Sequence, residues 1–287
     1  MDSPLVTVGL PIALGIIMFG LGLSLTIDDF RRVREHPRAV VIALVCQLLL
    51  LPAICFGLVV ALDLPPLLGI GMMLLAASPG GTAANLFSHL FRGDVALNVA
   101  LTAVNSVLAI FTLPIITNLA ISYFDSPDSV SLQLRKVVEV FVVVLVPVLL
   151  GMLVKSKRPS FAARADKPVR IGSAVILALL VIVILIDQRE DLGGYFADVG
   201  LATALFCAAS LVIGYAVPKA FGVTEKQAIA SSMEIGVHNG TLAIYIAVEV
   251  LDSTEISVPA AVYSLIMVVF ATVWGYVLTR PRIAVLR

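Results

Sequence analysis

Nine stretches of this chain come close to the 20 apolar residues that a helix needs to cross a bilayer, and they leave it one kind of fold. They run at approximately 5 to 26, 39 to 62, 66 to 90, 95 to 123, 133 to 154, 169 to 187, 197 to 218, 226 to 250 and 256 to 279. Lipid offers bare backbone no hydrogen-bond partner, so each stretch has to satisfy its own amides as a helix. The expected fold class is an all-α polytopic membrane protein of nine transmembrane helices, one transmembrane domain over residues 1–287. Only 13% of residues are charged against 60% hydrophobic, which excludes a soluble enzyme and a nucleic-acid-binding surface. The lipid bilayer is the one partner composition demands, and no obligate protein partner is indicated. The first apolar run follows MDSP, without a basic leader segment, and is expected to stay in place as a helix. Cys46, Cys55 and Cys207 all lie inside apolar runs, where cysteine acts as a small hydrophobe rather than as part of a disulfide framework.

In such a chain the position of charge matters more than its net value of zero. Sixteen of the nineteen cationic residues fall in alternate connections: Arg31, Arg32, Arg34 and Arg38; Arg92; Lys155, Lys157, Arg158, Arg164, Lys167 and Arg170; Lys219 and Lys226; Arg280, Arg282 and Arg287. Only Arg135, Lys136 and Arg189 take the other side. The positive-inside rule then puts the N-terminus outside and the C-terminus in the cytoplasm, in an inner or plasma membrane.

Two spans are interrupted at their centres. The third contains SPGGTAAN at 78–85 and the eighth EIGVHNG at 234–240. Pro79 removes a backbone donor, and Gly80, Gly81, Gly236 and Gly240 weaken the helix. Irregular backbone at that depth has to pack against protein or line a wet cavity. The connection entering the third span is outside and that entering the eighth is inside, so the two units have opposite topology. Inverted repeats with broken helices meeting at the midplane are the architecture of many secondary transporters; half-helix N-termini there face an anion and unwound carbonyls a cation. The halves are unequal, four spans against five.

The polar residues sharpen that expectation. A purposeless Glu234 at mid-span would cost about 2.5 to 3.5 kcal/mol on the insertion scale. Asn98, Thr102 and Asn105 recur at i, i+4 and i+7 and so share one helix face. Gln47 lies five residues before Pro52 in the second span. A carboxylate, amides, hydroxyls and carbonyls without soft ligands describe a hard-cation site for sodium rather than zinc or copper.

GIIMFGLGLSL at 15–25, CQLLLLP at 46–52, SPGGTAANL at 78–86, RGDVALNVALT at 92–102 and EIGVHNGTLA at 234–243 resemble, in order, the bile acid:sodium symporter family in its nine-helix form. The resemblance implies a sodium-coupled symporter of organic anions, with spans one, five and six (5–26, 133–154, 169–187) as a panel and 39–123 with 197–279 as an ion-holding core. It implies a first sodium site on Asn85, Asn98, Thr102 and Glu234. The second would use Gln47, Glu234, the carbonyls of Ile235 and Val237, and the side chain at 238. Substrate is implied at the crossing of the broken helices, near Thr82 and Asn239 with Gly81 and Gly240. Helix nine carries Met267 and Val268 where some bile-acid carriers have a polar pair, which does not support a sterol substrate.

Three departures bear on the ions. Ala84 stands where the family carries a hydroxyl, Asn98 brings a longer amide where serine is common, and His238 replaces the usual glutamine. Imidazole offers a metal nitrogen and never oxygen, which argues for one sodium per cycle rather than two. A charged His238 beside Glu234 would stand in for the second ion and make transport depend on pH between about 5 and 8; the alternative is a neutral imidazole hydrogen-bonded to the broken backbone or to Gln47. The alternatives on the same fold are a proton-coupled carrier, a channel and a non-transporting anion sensor. An intramembrane hydrolase is disfavoured, because there is no HExxH, there are no paired aspartates at membrane depth, and His36, His89 and His238 lie far apart in the sequence.

Overall fold

The computed structural model describes residues 9–124, 134–165 and 192–284, with isolated positions between 168 and 182. All regular elements among them are helical: α1 (Gly9–Ser24), α2 (Ile27–Arg32), α3 (Pro37–Ala61), α4 (Pro66–Ala77), α5 (Thr82–Leu90), α6 (Val95–Tyr123), α7 (Leu134–Lys157), α8 (Leu192–Ala220), α9 (Glu225–Gly236), α10 (Gly240–Val250) and α11 (Thr254–Ala284). Among the described residues four segments are long and apolar enough to cross a membrane unbroken: Pro37–Ala61, Val95–Tyr123, Val199–Ala220 and Thr254–Arg280. Two expected spans are the broken pairs α4–α5 and α9–α10. The expected span at 169–187 lies outside the described residues, apart from scattered positions.

Helix α6 shows how the sequence distributes its faces. Phe111, Ile115 and Leu119, spaced by four, are more than half exposed and form a stripe suited to lipid, whereas Asn98, Thr102 and Asn105 on the other face are buried. The polar stripe therefore looks inward, the reverse of a water-soluble helix.

Within α3, residues Cys46–Leu50 form one π turn, with the Leu51 N–H reaching back to the Cys46 carbonyl. Pro52 just beyond brings no N–H to the ladder, and the wider turn re-registers the helix ahead of it. Gln47 sits inside this turn and is buried.

The two broken helices match closely. α4 and α9 each run 12 residues before the break. The positive φ values among the described residues fall at Asp63 and Gly222, which precede α4 and α9, and at Arg92 and Asp252, which follow α5 and α10. α1 packs along α7, with Gly22 against Val148 and Gly151 against Phe19, and this pair meets the rest of the molecule chiefly through α10. The cation-rich connections gather at one end: Lys155 Nζ donates to the Ser24 carbonyl at 2.6 Å, Asp94 N–H to the Lys226 carbonyl at 2.8 Å, and Arg38 lies over Gly222.

Candidate functional site

Where α4 stops at Ala77 and α9 at Gly236, the chain runs extended for a few residues, and these two stretches cross and pair. Gly80 and His238 form an isolated antiparallel bridge. Gly81 N–H donates to the Val237 carbonyl at 3.0 Å, and Asn239 N–H donates to the Pro79 carbonyl at 2.8 Å. Each break thus satisfies part of the other's freed backbone and reduces the hydrogen-bond deficit that Pro79 and the glycines create.

Glu234 lies in the last turn of α9, fully buried. Thr102 Oγ1 is 2.5 Å from its Oε2, nearer than the 3.0 Å to the Asn98 carbonyl, so the single hydroxyl proton favours the carboxylate. Asn105 Nδ2 donates to Oε1 at 3.1 Å. The carboxylate rests against the backbone of Gly80, and a Cβ there would overlap it. Asn98 turns its Nδ2 to the Ala230 carbonyl at 2.8 Å, one turn below Glu234. Asn105 is the member of the α6 stripe that the family pattern left out of the ion set; its i+7 spacing was the signal that could have included it.

Gln47 and His238 converge on one carbonyl. Gln47 Nε2 donates to Ser78 O at 3.1 Å, and His238 Nδ1 lies 3.1 Å from the same oxygen. A carbonyl only accepts, so Nδ1 carries the proton. The imidazole stacks on Phe206 with ring centroids 5.5 Å apart and meets Tyr263 edge-on at 5.4 Å. Tyr263 in turn donates to the Gly236 carbonyl at 2.9 Å. Nε2 is buried without a hydrogen-bond partner, as suits a neutral ring whose second nitrogen is a lone pair. The charged pair expected between His238 and Glu234 is therefore not formed: Glu234 is held by α6, and His238 is committed to Ser78 between two aromatic rings. Nothing local in the sequence signals Phe206 and Tyr263, which look like any other apolar span residues.

The remaining expected residues distribute as follows. Asn85 lies on α5 with its Oδ1 buried and unpartnered. The Val237 carbonyl already accepts from Gly81, with a second lone pair left over. The Asn239 side chain caps α10 by accepting from Leu242 N–H at 3.1 Å. Thr82 opens α5 and, like Gly81, is partly exposed, while Gly240 abuts Ser264. Two helix N-termini thus emerge from the crossing, a setting that favours negative charge.

Among the described residues four buried amide oxygens have no donor: Gln47 Oε1, Asn85 Oδ1, Asn98 Oδ1 and Asn105 Oδ1. Each would cost about 1–3 kcal/mol if left so. No group of three His, Cys, Asp or Glu able to hold a metal exists among the described residues. One carboxylate with surplus neutral oxygens has the chemistry of a desolvated alkali cation rather than of a transition metal.

The chain matches the model of the sodium bile acid symporter family over residues 11–194. It is 29% identical over 259 residues to the uncharacterized sodium-dependent transporter YocS of Bacillus subtilis, covering 88% of this chain and 77% of the relative. A probable chloroplastic sodium/metabolite cotransporter of Oryza sativa is 28% identical over 262 residues, 91% of this chain and 61% of that longer protein. The ileal sodium/bile acid cotransporter of Homo sapiens is 25% identical over 270 residues, 92% and 77% of the two chains.

Proposed function

Because this chain belongs to the sodium bile acid symporter family, we propose that it is a sodium-driven symporter that carries an organic anion across the membrane by alternating access. The observation that carries this reading is the crossing itself: a buried carboxylate amid unpartnered amide oxygens, beside two helix N-termini. Sodium is held by Glu234, Thr102 and the amide oxygens of Asn85, Asn98 and Asn105. The anion lies on the other side of the crossing, against Thr82 and Asn239 with the backbone of Gly81 and Gly240. In our reading α1 and α7, with the segment near 169–187, form the panel against which the remaining helices move. The paired 12-residue half-helices and the corresponding positive-φ turns support two inverted units in a nine-helix chain with its N-terminus outside.

Thermal-shift measurements on the purified protein, screening organic anions with and without sodium, test the reading directly. A ligand that binds only the folded state stabilises it by RT ln(1 + [L]/Kd). Anions that stabilise more in sodium than in choline, and then enter proteoliposomes down a sodium gradient, establish symport. Uptake indifferent to sodium would refute it.

Two further outcomes follow. Thr82→Val combined with Asn239→Ala weakens anion binding by tenfold or more, since each lost hydrogen bond to a charged group is worth about 1.5–3 kcal/mol. The lost α10 cap lowers stability by about 1 kcal/mol with or without sodium, so the sodium-induced shift itself persists. If instead the sodium shift disappears and anion affinity holds, the two roles are exchanged.

His238 supports one sodium per cycle, because a nitrogen and two aromatic rings occupy the place where the family carries an amide oxygen. Wild-type uptake then rises with sodium at a Hill coefficient near one, a quantity bounded by the number of coupled sites. His238→Gln restores the oxygen and moves the coefficient toward two. A wild type that already shows two cooperating ions removes the argument.

A further inference from the structure

Most buried helical hydroxyls here take the acceptor nearest to hand: Thr203, Ser210, Ser264 and Thr279 each donate to a carbonyl one turn back in their own helix. Among the described residues three buried hydroxyls have no partner, and one of them, Thr117, lies well along α6 from the ion site. The other two are Ser88 on α5 and Ser231 on α9: both are at least 99% buried, and neither Oγ has a hydrogen-bond partner. Helices α5, α6 and α9 all pack on one another, and these two serines lie one turn beyond the ion site toward the cation-rich end. Ser231 precedes Glu234 by three residues and Ser88 follows Asn85 by three, so each shares a helix face with an ion-site residue.

Asn98 joins the two tiers. Its Nδ2 holds the Ala230 carbonyl, next to Ser231, while its Oδ1 is buried and unpartnered. The turn Arg92–Asp94 closes this level off. A Cβ on Gly93 would lie 2.8 Å from Ser88 Oγ and 3.1 Å from Ala230 N, so the bare glycine backbone seats directly over both. Gly93 N–H donates to the Ser88 carbonyl at 2.7 Å, and Asp94 N–H ties the turn to Lys226. Asp94, partly exposed, caps α6 through its Oδ1 and places a carboxylate at the mouth.

The geometry points to a second, lower cation station, formed by Ser88 Oγ, Ser231 Oγ and Asn98 Oδ1, on the path by which sodium leaves the Glu234 site toward the cation-rich end. It takes a small monovalent cation: neutral hard oxygens bind sodium weakly enough to release it, and a carboxylate at each end keeps the path attractive to positive charge. This station rests on the sodium-symport reading, but it is tested by a measurement that does not require transport.

Ser88→Cys and Ser231→Cys are made singly, with Cys46, Cys55 and Cys207 changed to alanine, in membrane vesicles exposing the cation-rich end. A small cationic methanethiosulfonate is the probe. Both cysteines react, and sodium, but not choline, slows the reaction about tenfold at ten times its dissociation constant, as occupancy requires. In parallel, Ser88→Ala with Ser231→Ala lowers the maximal sodium-driven uptake rate, while the Glu234 site still gives a sodium-induced thermal stabilisation, reduced only by the share of the lost station. Cysteines that do not react, or that react equally in sodium and choline, overturn the station even if wild-type uptake is sodium-driven. Sodium-protected cysteines in a protein whose uptake ignores sodium keep the station and refute the symport reading.

Discussion

Glu234→Gln loses sodium-dependent uptake by about three powers of ten while the protein remains folded. A unit charge pair about 4 Å apart at an effective dielectric constant of 20 is worth roughly 4 kcal/mol, and each 1.4 kcal/mol is a tenfold change in binding. The remaining donors are neutral amide and hydroxyl oxygens, which cannot replace that attraction. Folding survives because glutamine keeps the shape: its amide oxygen accepts from Asn105, its NH2 donates to the Thr102 hydroxyl, which then gives its own proton to the Asn98 carbonyl, and a neutral amide is cheaper to bury than a carboxylate. The measurement is uptake over a sodium gradient alongside the sodium-induced thermal shift. Both vanish in the variant, and its stability without sodium equals or exceeds that of wild type. Uptake at the wild-type level would remove Glu234 from the ion site.

Gly80→Ala is as damaging to sodium binding, for a steric reason. The added Cβ lands on the Glu234 carboxylate, so either the carboxylate leaves Thr102 and Asn105 or the bridge between Gly80 and His238 opens. Overpacking of this kind costs about 1–3 kcal/mol. Gly81→Ala is the internal control, because its Cβ meets nothing nearer than 3.5 Å, an ordinary contact. The expected result is loss of the sodium-induced thermal shift in Gly80→Ala and its retention in Gly81→Ala. Adding Glu234→Asp to Gly80→Ala withdraws the carboxylate by one methylene and recovers stability without recovering sodium binding. Equal sodium responses in the two alanine variants would show that the carboxylate does not depend on a bare backbone at 80.

Much of this architecture is legible in the sequence. Span positions follow from hydrophobic length, and the expected ranges 95 to 123 and 66 to 90 match Val95–Tyr123 and the pair Pro66–Ala77 and Thr82–Leu90. Breaks follow from Pro79 and the glycines, which act on their own backbone. Helical spacing put Asn98, Thr102 and Asn105 on one face, and two of the three hold Glu234. The π turn around Gln47 was not legible: Pro52 announces a disturbance but does not specify whether a kink or a wider turn absorbs it.

The sequence by itself determined where long apolar helices run among the described residues and where two of them break, and it required a purpose for Glu234 in apolar surroundings, because those properties depend on the local chain and its own hydrophobicity. Only the tertiary structure decided who meets whom. Thr102 and Glu234 are 132 residues apart, and His238 and Ser78 are 160 apart. Proximity in sequence suggested His238 as the partner of Glu234, yet the crossing turns the imidazole toward the opposite break and leaves the carboxylate to α6. Hydrogen-bond partners across such separations are set by which broken backbone each half-helix has to satisfy, a condition that exists only once the two halves cross.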